Sequence, residues 1–402
     1  MNNLKKNNFV SFTAFISSLV FVFSFFIRVP AEFSFIIFSL PFGKYTFYIS
    51  IITQLVLISL VIIFFFFNYN VIRINKTMIM SLMLLFLMIS VILSLYNYTG
   101  LMAVERYAIF HYLPIYLSMI TSFIFGMFFF KIFEFKKLLI TIWLISSFQY
   151  LINVQSGFFK LDFNLLQQNG VGLYLAWADS YAILTFLILS MSKSTLRPVI
   201  FCLSLPVLFL LNSRASLACF ILSYLALVIF CKKKAELFVF LVPVLIVSVF
   251  VLYTYQFDDM YSRMLMVNLS SDNSLNDRSL LLIGGIEDIL SNPILGNFGG
   301  QIEKSVDSGG IRWGAYIHNL LSYWRQFSIA GFILFVFCCL AVVRSVFLEK
   351  ESNSNSEKAF IMISVYSVLM VIFFRSYTYH YIFILFACVG FSKNNDTFKL
   401  KR

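Results

Sequence analysis

The sequence predicts an all-α polytopic membrane protein, with about 12 transmembrane helices and one large external loop. Three observations carry this. The 402 residues are 60% hydrophobic and only 12% charged, with 51 Phe, where a soluble domain is about a quarter charged. Apolar runs of near-spanning length recur along the chain. Basic residues sit in small groups between those runs, as anchors on the cytoplasmic side do.

In order, the apolar runs are 9–27, 45–67, 77–96, 112–130, 138–154, 171–191, 198–212, 215–231, 237–254, 320–343, 359–374 and 379–392. The first follows Lys5 and Lys6 and has no small-residue cleavage site after it, so it reads as a retained span. Residues 30–41 are apolar but short, bounded by Pro30 and Pro41, and read as interfacial or re-entrant. The run 198–212 contains Pro206 and is shorter than the roughly 20 residues a perpendicular helix needs. The resulting organisation is a membrane domain over 1–254 (spans one to nine), a loop over 255–317, and a second membrane portion over 318–402 (spans ten to twelve).

With the N-terminus inside, 19 of the 30 Lys and Arg residues fall in cytoplasmic segments. This alternation predicts both termini inside and the large loop outside, in a bacterial periplasm. The loop holds eight of the 18 acidic residues and eight of the 16 glycines. A multispan protein needs only short turns, so so long a polar segment reads as a working part. The net charge of +12 does not point to nucleic acid, because the basic residues follow the topology and form no patch. The six cysteines lie in or beside apolar runs and read as small buried hydrophobes.

All three histidines, His111, His318 and His380, fall on the outer face in this topology, with Arg106, Arg214, Arg278, Arg312 and Arg375. Topology alone would deplete that face of Arg, so the gathering predicts an anion-binding site. Asn212–Ser213–Arg214 lies at the outer mouth between two runs. There Arg214 either snorkels to headgroups or holds a phosphate. Residues 276–300 predict a helix capped by Asn276 or Asp277, with Leu282, Ile286, Ile289 and Leu290 on one face, ended by Pro293 and a tight loop at Gly296, Gly299 and Gly300. Such a helix can simply lie on the membrane. Arg278 in its first turn, beside free amides, instead suggests an anion pocket. His318–Asn319 opens the tenth span, with Arg325 one to two turns in; His318 is either an interfacial residue or a base. Arg375-Ser-Tyr-Thr-Tyr-His380 joins the last two spans and by itself reads as an aromatic belt. Asp179, inside an apolar run, needs a partner or a wet cavity. No metal constellation, nucleotide loop or nucleophile elbow appears, and no cofactor is expected.

The order of these pieces resembles the O-antigen polymerase and O-antigen ligase superfamily. The resemblance is carried by Ser213–Arg214 at a span mouth, Asp277–Arg278, Asn292–Pro293–Ile294–Leu295–Gly296, and His318–Asn319. It is specific over roughly 210–335 and generic elsewhere. It implies a glycosyltransferase of the C-type membrane fold, acting without metal or nucleotide sugar. The donor and acceptor would be oligosaccharides on undecaprenyl pyrophosphate, at the periplasmic face of the inner membrane. It implies His318 as catalytic base and Arg214 and Arg278 as pyrophosphate ligands. Arg312, Asn319, Arg325, Arg375 and His380 are supporting candidates from the residues themselves, and Arg375 matches no motif of the family. A nearby Arg such as Arg325 would lower the pKa of His318. The Phe-, Ile- and Asn-rich composition favours a polymerase of lipopolysaccharide biosynthesis. A ligase acting on lipid A core is the alternative, and a lipid-linked oligosaccharide flippase is the alternative of another class. Further expected partners are membrane lipids, a chain-length regulator and a flippase, with no nucleic acid.

Overall fold

The structure is a computed structural model. It describes the backbone of residues 2–38, 42–68, 75–96, 103–152, 173–211, 213–230, 273–297, 317–348 and 354–392. Among these residues it is entirely helical. The α-helices are α1 (Asn2–Phe21), α2 (Arg28–Phe38), α3 (Phe42–Asn68), α4 (Lys76–Tyr96), α5 (Ala103–Met127), α6 (Lys136–Ile152), α7 (Leu173–Met191), α8 (Arg197–Leu210), α9 (Arg214–Phe230), α10 (Asn273–Ser291), α11 (Leu321–Leu348), α12 (Asn355–Phe373) and α13 (Ile382–Ser392). The predicted ninth span (237–254), residues 255–272 and 298–316 of the loop, and Arg312 lie outside the described residues, as do the side chains of Arg106 and His111.

Among the described residues, four helical stretches are long and apolar enough to cross a membrane: Val10–Ser34, Tyr45–Phe64, Leu321–Leu348 and Asn355–Phe373. A fifth candidate is the pair Tyr112–Met127 and Phe129–Leu151, if the two count as one broken span. Its 3₁₀ turn, Phe129–Phe135, carries Lys131, whose ammonium pairs with Glu134 at 2.6 Å. Shorter apolar helices include Lys76–Val91, Arg214–Phe230 and Ile382–Phe391. Large apolar side chains such as Phe86, Phe148 and Ile62 stand exposed on these helices, as a lipid-facing surface requires.

Residues 30–38 are not the separate interfacial segment that the prolines suggested. The chain runs as helix from Asn2 to Phe38, through a π-helical turn at Val22–Ile27. Pro30 has no N–H to offer the carbonyl of Phe26, and the widened turn immediately before it absorbs the misfit. Pro206 is likewise accommodated inside α8.

The chain divides into two compact units. The first is Met1–Ile72, Phe128–Tyr253 and Val346–Tyr366; the second is Arg73–Met127, Thr254–Ser345 and Ser367–Arg402. In the first, α7, α8, α9 and Tyr366 of α12 share an aromatic core of Phe186, Phe201, Phe220, Tyr224 and Tyr366, with Phe201 stacked on both Phe220 and Tyr224. Arg197, an expected cytoplasmic anchor, is buried and its Nε donates to the carbonyls of Leu189 and Ser192 at the end of α7. Arg28 and Glu32 pair at 2.8 Å on α2, and the Arg28 guanidinium lies over the Phe47 ring. In the second unit α13 packs against α4 and α5. A Cβ on Gly126 would collide with the Ile384 carbonyl and lie 2.9 Å from the Ala387 Cβ, so glycine is what lets α5 and α13 approach.

Candidate functional site

The second unit builds a site where α10 meets the start of α11. On α10, Leu281 and Ile289 lie on one face, two turns apart, and are buried with Ile317 against Leu282, Leu321 and Trp324. This seam seats α10 on the segment that carries His318. Asn319 is the helix cap: its Oδ1 accepts the Leu321 N–H at 2.9 Å, and its carbonyl accepts from Ser322 at 3.0 Å. The His-Asn pair thus has a simple division of labour, with Asn319 starting α11 and His318 held just ahead of it.

The segment Asn292–Asn297 then docks on α11. The Trp324 indole donates to the Pro293 carbonyl at 2.7 Å, and Asn292 Nδ2 donates to the Gly296 carbonyl at 3.0 Å. The helix itself is broken at Phe327 and Ser328, and Ser328 (φ 70°) is the one non-glycine residue with positive φ among those described. In a continuous helix the Ile329 N–H would donate to the Arg325 carbonyl. Here Asn297 N–H donates to the Arg325 carbonyl at 2.6 Å, and Ile329 N–H donates to the Ile294 carbonyl at 3.3 Å. The loop therefore takes over both ends of the broken bond, which satisfies backbone groups that a membrane helix cannot leave open.

Three cationic or titratable side chains converge on this frame. Arg278 on α10 and Arg375, buried in the turn after α12, both bring positive charge to bear on His318. Burial first, then Arg278, then Arg375, lower the His318 pKa from 6.5 to about 4. Each cause disfavours the imidazolium. His318 is held neutral at physiological pH, with Arg278 and Arg375 near enough to act on it. Guanidinium groups and a neutral imidazole nitrogen are what a site for an anionic substrate would use.

Two sequence expectations are corrected here. The helix begins at Asn273, not at Asn276 or Asp277, so Arg278 sits in its second turn, away from the terminal amides. The polar run before it offers several competing starts. Arg325 does not act on His318; it is 1% exposed and its Nε pairs with Asp288 Oδ2 at 2.8 Å, tying α11 to α10. The cations that act on His318 are instead Arg278 and, more weakly, Arg375, the latter only a supporting candidate in the sequence. His380 lies elsewhere in the unit, its Nδ1 2.9 Å from the Ser122 hydroxyl and its ring on Tyr381.

Arg214 belongs to the first unit, where it opens α9. Its neighbour Ser213 shares a 2.6 Å hydrogen bond with Ser216, and Ser216 donates to Asp179 Oδ1 at 2.7 Å. The Tyr366 hydroxyl donates to the same oxygen at 2.7 Å. The buried carboxylate of Asp179 thus has the partners its place in an apolar helix demands. Among the described residues no three His, Cys, Asp or Glu side chains come together as metal ligands would, and the described cysteines form no disulfide.

Comparison with protein-family models, with curated proteins and with solved structures gives no match to this chain.

Proposed function

We propose that the protein is a membrane-embedded polysaccharide polymerase, of the kind the sequence motifs resemble. It would transfer a glycan from undecaprenyl pyrophosphate to a lipid-linked acceptor at the outer face of a bacterial inner membrane. The reading includes twelve spans, cytoplasmic termini and a periplasmic loop over 255–317. One observation carries it: a neutral His318 set beside Arg278 and Arg375. In the proposed step the acceptor hydroxyl loses its proton to the His318 imidazole and its oxygen bonds the anomeric carbon. The bond from that carbon to the phosphate oxygen breaks, and the electron pair leaves with undecaprenyl pyrophosphate. Cations placed where that charge develops lower the barrier. Arg278 and Arg375 would hold the leaving group, with Arg214 assigned the same role by the motif alone.

The alternatives, ligase and flippase, separate on one assay. Purified protein in vesicles is given radiolabelled lipid-linked repeats, and both chain length and sidedness are followed. Growth of a ladder is the expected result. A change of side without a change of length makes the protein a flippase. Transfer only to lipid A core makes it a ligase. A His318→Ala protein that polymerises as fast as wild type removes the base assignment.

A further inference from the structure

Asp288 and Arg325 stand apart from the three site residues, yet on the same two segments. Arg278 and Asp288 are ten residues apart on α10 (288 − 278), roughly 15 Å along the axis. Arg325 is seven residues beyond His318 (325 − 318), in the first turns of α11. The contact between these segments has three parts. The apolar seam of Leu281, Ile289 and Ile317 gives adhesion, but apolar surfaces tolerate a small slide. The docked Asn292–Asn297 segment fixes only the C-terminal end of α10. The Asp288–Arg325 pair is directional, 2.8 Å long, and one partner is 1% exposed. A guanidinium so buried strongly disfavours losing its carboxylate, so the pair resists both rotation and sliding of α10.

We propose that Asp288 and Arg325 are the positioning pair of this site, fixing α10 so that Arg278 stays against His318. Neither touches His318; the charged groups that bear on it are Arg278, from α10, and Arg375, from the turn after α12. The inference rests on the reading of Arg278 and His318 as one site, and not on the reaction assigned to it.

The test reads the site without turnover. Full-length protein carrying His111→Gln and His380→Gln, so that His318 is the one labelled imidazole, is prepared with ¹³C-histidine in lipid nanodiscs. Its chemical shift is followed against pH. Arg278→Ala should raise the titration midpoint of His318 by roughly one pH unit, the effect of removing a near like charge. Asp288→Asn should raise it as far, and Asp288→Glu should return it to the parent value. Glu287→Gln, an exposed neighbour with the same charge, should leave it unmoved. Should Asp288→Asn fail to insert, the exchange of Asp288→Arg with Arg325→Asp takes its place and should keep the parent midpoint. An Asp288→Asn protein that titrates like its parent, while Arg278→Ala moves, overturns the proposal. An exchanged protein that folds but titrates like Arg278→Ala overturns it too. If Arg278→Ala itself moves nothing, the site is misassigned and the proposal falls with it. None of these outcomes depends on whether the protein polymerises, ligates or flips.

Discussion

Gly296→Ala is the sharpest perturbation this structure allows. Gly296 has φ +73°, and a Cβ there would lie 2.6 Å from the Arg325 carbonyl oxygen, 2.8 Å from that of Trp324 and 3.1 Å from the Ser328 nitrogen. All three are backbone atoms of α11, which cannot swing aside as a flexible side chain would. The left-handed conformation alone costs an alanine roughly 1–2 kcal/mol. Relieving the clash means lifting the loop, which gives up the Asn297-to-Arg325 and Ile329-to-Ile294 bonds and the Trp324 indole bond. At about 0.5–1.5 kcal/mol each, these add roughly 2–4 kcal/mol. An undocked loop sheds the strain and the clash, so these roughly 2–4 kcal/mol of docking bonds are what is lost, and the loop should undock while the rest of the chain stays folded. Hydrogen exchange read by mass spectrometry is the assay. Peptides holding Asn297 and Ile329 should exchange roughly thirtyfold to several hundredfold faster, since each 1.4 kcal/mol is tenfold in an opening equilibrium. Peptides from α7 and α8 should not change. Leu295→Ala, one residue away but 74% exposed, is the control. Wild-type protection of Ile329 in Gly296→Ala would refute the claim that the loop completes the broken helix.

Cysteines placed at Ser271 and Ser305 should react with an impermeant maleimide in intact spheroplasts, and one at Ser354 should not; protection of the first two reverses the orientation. Arg214→Ala and Arg278→Ala should each cut polymer tens- to thousands-fold, with poor rescue by Lys, which cannot form the planar fork. Arg73→Ala, at a predicted cytoplasmic position, should leave transfer intact, and unchanged ladders from Arg278→Ala would remove its phosphate role. Stability should follow His318. Its folded pKa of about 4 lies below the unfolded 6.5, so protonation favours the unfolded chain. The stabilisation is complete above pH 6.5 and is lost as pH falls toward 4, by roughly 3 kcal/mol in all. Thermal unfolding of His318→Gln should lack that part of the acid slope.

The residues show where sequence reading succeeds and where it stops. Hydropathy is a local property, so the runs 45–67, 320–343 and 359–374 were legible, and they overlap the candidate spans Tyr45–Phe64, Leu321–Leu348 and Asn355–Phe373. Gly296 was legible as a tight loop because glycine and Pro293 leave few other backbone choices. His318–Asn319 was legible as the opening of a span, but the capping role of Asn319 was not read from it. What failed was non-local or compensated. Pro30 reads as a boundary only if nothing upstream can absorb its missing N–H, and a π-turn leaves no signature in composition. The partner of Arg325 lies 37 residues away, across a loop whose path the sequence does not fix. The break at Phe327–Ser328 carries no proline or glycine, because its cause is the loop that docks there.

The charge around His318 also sets a kinetic signature that a merely buried histidine lacks. A base with a pKa of about 4 is always neutral near pH 7 but accepts a proton weakly. The two arginines that depress it are the groups proposed to hold the pyrophosphate. When an anion binds between them, its charge opposes theirs, and the His318 pKa must rise toward 6.5. The free protein and the complex should therefore report different values. The pH profile of kcat/KM follows the free protein and should stay flat from neutrality down to about 4. The profile of kcat follows the complex and should begin to fall, as pH decreases, well above that. In both cases activity is lost on the acid side, because the imidazolium cannot accept the acceptor's proton. Arg375→Ala should narrow the gap by raising the kcat/KM limb while weakening substrate binding. Coincident limbs near 4 would mean that the anion does not reach the arginines. Coincident limbs between 4 and 6.5 would mean that burial alone depresses His318 and that the arginines do not act on it in the free protein. Either result would break the coupling of leaving-group binding to base strength on which the proposed mechanism rests.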